Sequence, residues 1–529
     1  MRLLGERLSP FQLDSVLVGI ARIAGLLKTW QNQPDFGADR ALVRRFLPSY
    51  YPAIRRLCEE RPDRLTFTRL GLLYVAKHAC RVCSLDGGSV GNDEAAEQIL
   101  SCCLLANDLV LERMPTPADT IADKAANLLP FSNYVPGNSY PMDLARNLLL
   151  IEEIAPRLAG RSDYVDVGAL FENATGIGPL QFCELAFGAA TKFITRVDEQ
   201  MLDSSPFVLD RGYFRDAGVS ERDVGLFLDR LSATPGVLHE QAARDSAGAD
   251  FLMFQRHPLI EFAAGAYVCP DPGFLLDKAG PSLYWTLHEA SGRSGGLLAY
   301  WAGMIEFYVN WLFEEAYRGR GQIYTGPLFA DGTQACDLCL VEGSSLIMFE
   351  VKASVLTTRA KYSFSSETLM AELHKKAITG EDGERKGVAQ LTRNLGRFLA
   401  GDDIRGVSRD GIKTIYPLLV FLDHGFTAPG LNRIYNEHFD RRQFRQYRRC
   451  TITPMFSLTV EDLENALSHT HEVNFSAILD SYSRANPARF GELSHSSVPV
   501  LQGKVPGPNP VRERFERFGE ELAEHFFGV

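Results

Sequence analysis

Asp337, Glu350 and Lys352 are the residues of this chain whose types and spacing could do chemistry, and they fall together in ACDLCLVEGSSLIMFEVKAS. The segment is predicted to be a β-hairpin, with a strand over 335–341, a turn at Glu342-Gly343-Ser344-Ser345, and an apolar strand over 346–351 that delivers Glu-Val-Lys at its end. Side chains alternate faces along a strand, so Glu350 and Lys352 share a face while Val351 points into the core. Paired strands lie about 4.8 Å apart, which lets the hairpin bring Asp337 alongside them. Two carboxylates and an ammonium at one strand end form a divalent-metal site with a built-in cation, a combination suited to metal-dependent phosphodiester cleavage. On a solvated strand the same triplet would be an ordinary cross-strand ion pair. The surrounding elements decide between the two.

Upstream, residues 297–317 (LLAYWAGMIEFYVNWLFEEAY) carry a helical apolar pattern with Glu306 as a lone acid between Ile305 and Phe307. Carboxylates in such settings seldom stay buried without a partner or a metal. A strand over 322–329 comes next, then the hairpin. Helical stretches over 366–379 and 385–400 follow, and then an apolar strand over 415–422 (IYPLLVFL).

The order helix, three strands, helix, strand resembles the PD-(D/E)XK nuclease superfamily, the restriction-endonuclease-like fold, whose core has that αβββαβ order. The resemblance covers roughly residues 297–425, about a quarter of the chain. Asp337 matches the family's motif aspartate, and Glu350 with Lys352 matches its (D/E)-x-K. Glu306 matches the acid that many members carry on the first core helix. Gln390, in KGVAQLTRNL, sits where some members place a glutamine, although Asn394 stands where those members often have a tyrosine. Cys336 replaces the motif proline, a frequent departure.

The resemblance implies Mg²⁺ or Mn²⁺ held by Asp337 and Glu350, together with the Val351 carbonyl, since these cations prefer oxygen ligands and keep several waters. The cation would activate water and neutralise charge on the scissile phosphate. Lys352 would orient the attacking water or stabilise the transition state, its charge favoured by two neighbouring carboxylates. Glu306 would complete a second metal site or hold metal-bound water; otherwise it pairs with a nearby Arg or Lys.

Charge is distributed as a polyanion-binding module would require. The chain carries −11 overall, yet residues 352–449 hold 18 Lys and Arg against 11 Asp and Glu, a local +7 that leaves about −18 for the rest. The densest cluster is Arg441, Arg442, Arg445, Arg448 and Arg449, interleaved with Phe444 and Tyr447. Arginine forks onto phosphates and aromatic rings stack on bases, so this segment, with Lys386, is a candidate nucleic-acid contact.

At 529 residues the chain is long for one core, and two or three domains are expected. Residues 1–290 read as a helical regulatory or recognition region, with amphipathic stretches over 13–30, 69–83, 94–114, 141–158, 178–193 and 221–232. Pro115-Thr116-Pro117 and Pro136-Gly137-Asn138 break this pattern, and the Ser/Gly run at 291–296 is a candidate hinge. Residues 296–480 form the nuclease-like domain, in which 456–467 reads as a strand running into a helix capped by Thr459 and Asp462. The last part, 481–529, is a Ser/Pro/Gly-rich linker and an amphipathic helix with Val511, Phe515, Phe518, Leu522 and Phe526 on one side, expected to dock on the chain's own body.

Ten scattered cysteines fit reduced cytoplasmic thiols. Of the two CxxC pairs, Cys80/Cys83 and Cys336/Cys339, the second falls on the first hairpin strand, where residues three apart should face opposite sides and not ligate zinc together. Gly87-x-Ser89-x-Gly91 and Gly292-x-Ser294-x-Gly296 match the hydrolase elbow pattern but follow no strand, so both are expected to be loops. No apolar run reaches the roughly 18 residues that span a bilayer, and no secretory h-region is present. The fold class expected is thus α+β and multidomain, a helical N-terminal region followed by a PD-(D/E)XK-like domain. The function expected is a Mg²⁺-dependent nuclease, with DNA favoured as partner, resembling bacterial antiviral effectors that work as homo-oligomers or with partner defence proteins. A catalytically silent binding or scaffold subunit of the same fold, and an RNA-cleaving nuclease, are the competing readings.

Overall fold

The structure is a computed structural model describing residues 2–28, 35–60, 65–85, 92–112, 118–132, 139–194, 208–244, 250–380, 386–447, 449–487, 493 and 498–527. The breakers at 115–117 and 136–138, the 87–91 motif and Arg448 lie outside the described residues. The chain is α+β, as expected. Its ten described strands are β1 (Leu209–Asp210), β2 (Ser232–Ala233), β3 (Leu259–Ala263), β4 (Ala266–Val268), β5 (Gln322–Thr325), β6 (Leu338–Glu342), β7 (Ser345–Lys352), β8 (Thr414–Phe421), β9 (Thr451–Ile452) and β10 (Phe456–Thr459).

Before the hinge region the chain is mostly helical, and each expected helix forms: Leu13–Leu27, Arg69–Val82, Asn92–Glu112, Ser139–Leu149, Pro179–Ile194 and Glu221–Leu231. A small sheet in the order β1-β4-β3-β2 is added to them. Its strands, two to five residues long, are too short to show alternation in the sequence.

Strands β5 to β10 form the second sheet, in the order β10-β8-β7-β6-β5 with β9 also on β8. β5, β6 and β7 run antiparallel, and β7 pairs in parallel with β8, itself parallel to β10. The helix Gly295–Ala316 precedes β5, and the helices Ser366–Leu373 and Gly387–Ala400 fall between β7 and β8. The helix–three strands–helix–strand order is therefore present. β7 is apolar on both faces because both are covered. Ile347, Phe349 and Val351 face the Gly295–Ala316 helix, whose Phe313 ring meets Phe349 with centroids 4.7 Å apart. Leu346 and Met348 face the other way, with Leu369, Leu391, Leu395 and Ile434 from the helices on that side. Burying each such side chain contributes about 2 kcal/mol.

The hairpin turns at Gly343 and Ser344, with Glu342 paired to Ser345. Gly343 has φ of 56°, a conformation that a side chain would oppose. β5 is shorter than the expected 322–329. Gly326 adopts φ of 53° and Pro327 has no N–H to give the ladder, so Leu328 and Phe329 make only isolated bridges.

The apolar core runs unbroken from Leu4 through the sheet to Phe518, so the expected regions pack on one another. Buried charges join them: Arg146 bonds Glu464 at 2.5 and 2.7 Å and Asp143 at 2.5 Å, while the Tyr308 hydroxyl donates to Glu464 at 2.7 Å. The helix Val460–Leu467 starts on the expected capping box of Thr459 and Asp462. The C-terminal helix Pro510–Phe527 docks on the body, with the Phe515 and Phe518 rings against Phe187; the Phe526 side chain lies outside the described residues. Among the described residues no helix is long and apolar enough to cross a membrane.

Candidate active site

The hairpin register places the three residues. The β6–β7 ladder ends at Leu338 and Phe349, and Asp337 lies one residue outside it, its N–H donating to the Phe349 carbonyl at 3.0 Å. Asp337 Oδ2 accepts the Val351 N–H at 2.7 Å and Oδ1 accepts the Gln334 side-chain amide at 3.1 Å, which seats the carboxylate against the end of β7. Lys352, two residues beyond Glu350, shares its face, and Lys352 Nζ donates to Glu350 Oε1 at 2.5 Å. Glu350 Oε2 is buried with no hydrogen-bond partner among the described residues.

Burial sets the electrostatics. Glu350 is 1% exposed and Asp337 7%. Loss of water, and then the Asp337 charge, push the Glu350 carboxyl up to about 8 although Lys352 opposes both. Burial also raises Asp337, against Lys352 and the Val351 amide. Glu306 is raised to about 7 by burial and then by Asp337, so it faces the same centre from its helix. Lys352 moves upward despite burial, because Glu350, Asp337 and Glu306 together outweigh it. Three carboxylates thus gather around one ammonium. Glu306 and Lys352 are half-buried while the other two lie deeper, so the approach from solvent runs past them.

This donor set fits a hard divalent cation: a carboxylate oxygen with no partner among the described residues, two carboxyls raised by burial and surplus negative charge in a low-dielectric site. Among the described residues no group of three or more His, Cys, Asp or Glu side chains could hold a metal by itself. The remaining ligands would be a backbone carbonyl, water and substrate phosphate.

Other expected residues stand further away. Gln390 is half-buried on the Gly387–Ala400 helix, and no described contact ties it to the carboxylates. Asn394, one turn later, is buried and donates to the Ala335 carbonyl at 2.9 Å and the Gln334 carbonyl at 3.3 Å, holding the segment that carries Asp337. Lys386 is exposed at that helix's N-cap position. Arg441, Arg442, Arg445 and Arg449 are exposed around a short 3-10 helix, Arg441–Phe444, and the first three line a concavity of about 850 Å³ with Phe439 and Tyr447. β9 beside it pairs with Thr414 and Ile415 at the start of β8, whereas Leu419 and Phe421 toward its far end pair with Glu350 and Lys352, so the arginine cluster adjoins the other end of β8 from the carboxylates.

One expectation is corrected. Cys336 and Cys339 do not face apart: their Sγ atoms are 3.1 Å from one another. Cys336 lies before β6 begins, where strand alternation does not apply. Both thiols are buried. Ser294, in the second elbow-like motif, caps the Gly295–Ala316 helix, its hydroxyl accepting the Leu297 N–H, and follows no strand, as expected.

Sequence reasoning missed Gln334, Asn394 and the Lys361–Asp423 pair. Asp423, just after β8, accepts the Leu356 and Gly425 amides and Lys361, closing the same end of the sheet. Only Asn394 left a trace in the sequence, as a polar residue on an otherwise apolar helix face. No family model, curated protein or solved structure matches the chain.

Proposed function

We propose that this chain is a metal-dependent nuclease of the PD-(D/E)XK type that hydrolyses phosphodiester bonds, with DNA as the favoured substrate. The observation that carries the reading is the gathering of Asp337, seated on the Val351 amide, with Glu350 and its bonded Lys352 at the end of β7, Glu350 Oε2 having no partner among the described residues. Asp337 and Glu350, with the Val351 carbonyl, would hold Mg²⁺ or Mn²⁺. When bound, that ion supplies Lewis-acid activation of water and charge neutralisation at the phosphate.

The chain's own residues do the rest. Gln334 and the Val351 amide fix the Asp337 carboxylate, so it meets substrate without reorganising. Lys352, bonded to Glu350 at the end of β7, would direct its ammonium at the attacking water or at the non-bridging phosphate oxygens. Glu306, raised to about 7, is suited to exchange a proton near neutral pH. The exposed arginines beside the other end of β8 would anchor duplex flanking the cut. A helical region packed around such a site fits an effector kept silent until triggered, the role of antiviral nucleases.

The rival reading is a silent nucleic-acid-binding subunit of the same fold. Incubating the purified protein with duplex DNA in Mg²⁺ or Mn²⁺ distinguishes them. Cleavage that stops in EDTA is expected; cleavage persisting in chelator with trace metal excluded would refute the mechanism.

A further inference from the structure

We infer that Arg161, from the N-terminal region, contacts a substrate phosphate beside the centre formed by Asp337 and Glu350, so that the cleft is built from both halves of the chain. The inference rests on the nuclease reading above and adds a binding residue that the motif does not contain.

Arg161 sits in the turn after the short helix Ala155–Arg157, its N–H bonded to the Leu158 carbonyl and its own carbonyl accepting from Tyr164. Asp163 fixes the guanidinium through Nε at 2.8 Å and Nη2 at 2.9 Å. Among the described residues Nη1 has no hydrogen-bond partner, and the side chain is 41% exposed. A fork aimed by one carboxylate and still open to solvent is the arrangement that receives a phosphate oxygen.

Gly303 explains where the fork lies. It stands in the middle of the 22-residue helix Gly295–Ala316, where glycine costs about 1 kcal/mol relative to alanine. A Cβ there would fall 2.9 Å from both Nη atoms of Arg161, so the missing side chain is what lets the guanidinium rest on the helix. Glu306 is one turn further on. Arg161 lies within electrostatic reach of it, and Glu306 in turn faces Asp337 and Lys352. Glu306 thus lies within electrostatic reach of both Arg161 and the carboxylate centre.

The same helix carries other polar groups with no partner among the described residues, the buried Tyr300 hydroxyl three residues before Gly303 and Asn310 Oδ1 seven after it. As a stability device the exposed Arg161–Asp163 pair would be worth little; as a phosphate seat it is placed where the substrate must enter.

The test is full-length protein binding a short fluorescent DNA duplex in EDTA across a salt series, for wild type, R161A, R161K and G303A. R161A is expected to weaken binding about tenfold at low salt and to reduce the slope of log affinity against log salt by about 0.9, the signature of one lost phosphate contact. R161K should fall between, because it keeps the charge and loses the fork. G303A should weaken binding like R161A, its methyl displacing the guanidinium in a chain whose helix is otherwise strengthened, and it carries the test if R161A does not fold. Wild-type affinity and slope in both R161A and G303A would overturn the inference, as would a wild-type protein that binds neither this duplex nor an RNA oligonucleotide of equal length. Failure of the nuclease reading looks different: E350Q would cleave as wild type does while R161A still binds weakly.

Discussion

Replacing Glu350 by glutamine should make the metal-free protein more stable, by an amount that grows with pH. The substitution keeps the shape of a side chain that is 1% exposed and keeps an acceptor for Lys352, but removes a charge that burial and Asp337 oppose. A carboxyl whose folded value lies above its unfolded one binds more protons when folded, so its contribution to stability is present at low pH and falls as pH rises. For Glu350 the window runs from the ordinary 4.5 to about 8. At 1.36 kcal/mol per tenfold change in proton affinity, complete ionisation costs up to about 5 kcal/mol. Asp277 and Glu461, each raised to about 7, shift the absolute stability of both proteins alike and largely cancel in the difference, whereas Glu306, whose charge also raises Glu350, belongs to the same titration. The assay is urea denaturation in EDTA at pH 5, 6, 7 and 8. The gap between E350Q and wild type should be small at pH 5 and reach several kcal/mol by pH 8. A gap that stays constant from pH 5 to pH 8 would mean that Glu350 is not held in a repulsive, desolvated site, and the electrostatic account would fail.

Three further outcomes follow from the same geometry. Mg²⁺ at about a hundred times its dissociation constant should stabilise wild type by about 2.7 kcal/mol, measured by thermal denaturation at pH 7.5, and D337N should lose most of that increment; an equal rise in both proteins would place the ion elsewhere. Removing Glu464 by E464A leaves the buried Arg146 with Asp143 as its remaining carboxylate and should cost about 2–3 kcal/mol in urea denaturation, whereas a loss under 1 kcal/mol would show that the Arg146–Glu464 contact does not join the N-terminal region to the sheet domain. Replacing Arg441 and Arg445 together by alanine should weaken duplex binding at every sequence tested and lower the salt slope by about 1.8, while cleavage at saturating DNA is unchanged; sequence-selective loss would assign these arginines to base reading instead.

The hairpin was legible because its determinants are local. Alternation put Glu350 and Lys352 on one face, and the two-residue turn at Gly343 fixed the β6–β7 register, which ends at Leu338, one residue short of Asp337. Glu306 was legible as an acid without company on an apolar helix. Asn394 and Arg161 were not, because each acts through a tertiary approach that no spacing encodes: Asn394 lies 59 residues from the Ala335 carbonyl it holds. Gln334 is local to Asp337, three residues away, but sits in the irregular stretch before β6, where no strand period orients it. Cys336 and Cys339 were misjudged by extending strand alternation two residues before β6 starts at Leu338. The small N-terminal sheet escaped notice for want of length, and the 322–329 strand was overdrawn across Pro327, which cannot join a ladder.

The central claim is that Asp337, Glu350 and Lys352 cleave phosphodiesters, and cleavage of duplex DNA in Mg²⁺ by wild type, E350Q and K352A tests it most directly. Wild type should cut, both variants should lose cleavage by at least a hundredfold, comparable to deletion of one transition-state donor, and both should still bind DNA within a few-fold of wild type, since one cation among many contributes little to total phosphate attraction. Variants that cut as fast as wild type would contradict the account and leave the fold as a binding scaffold.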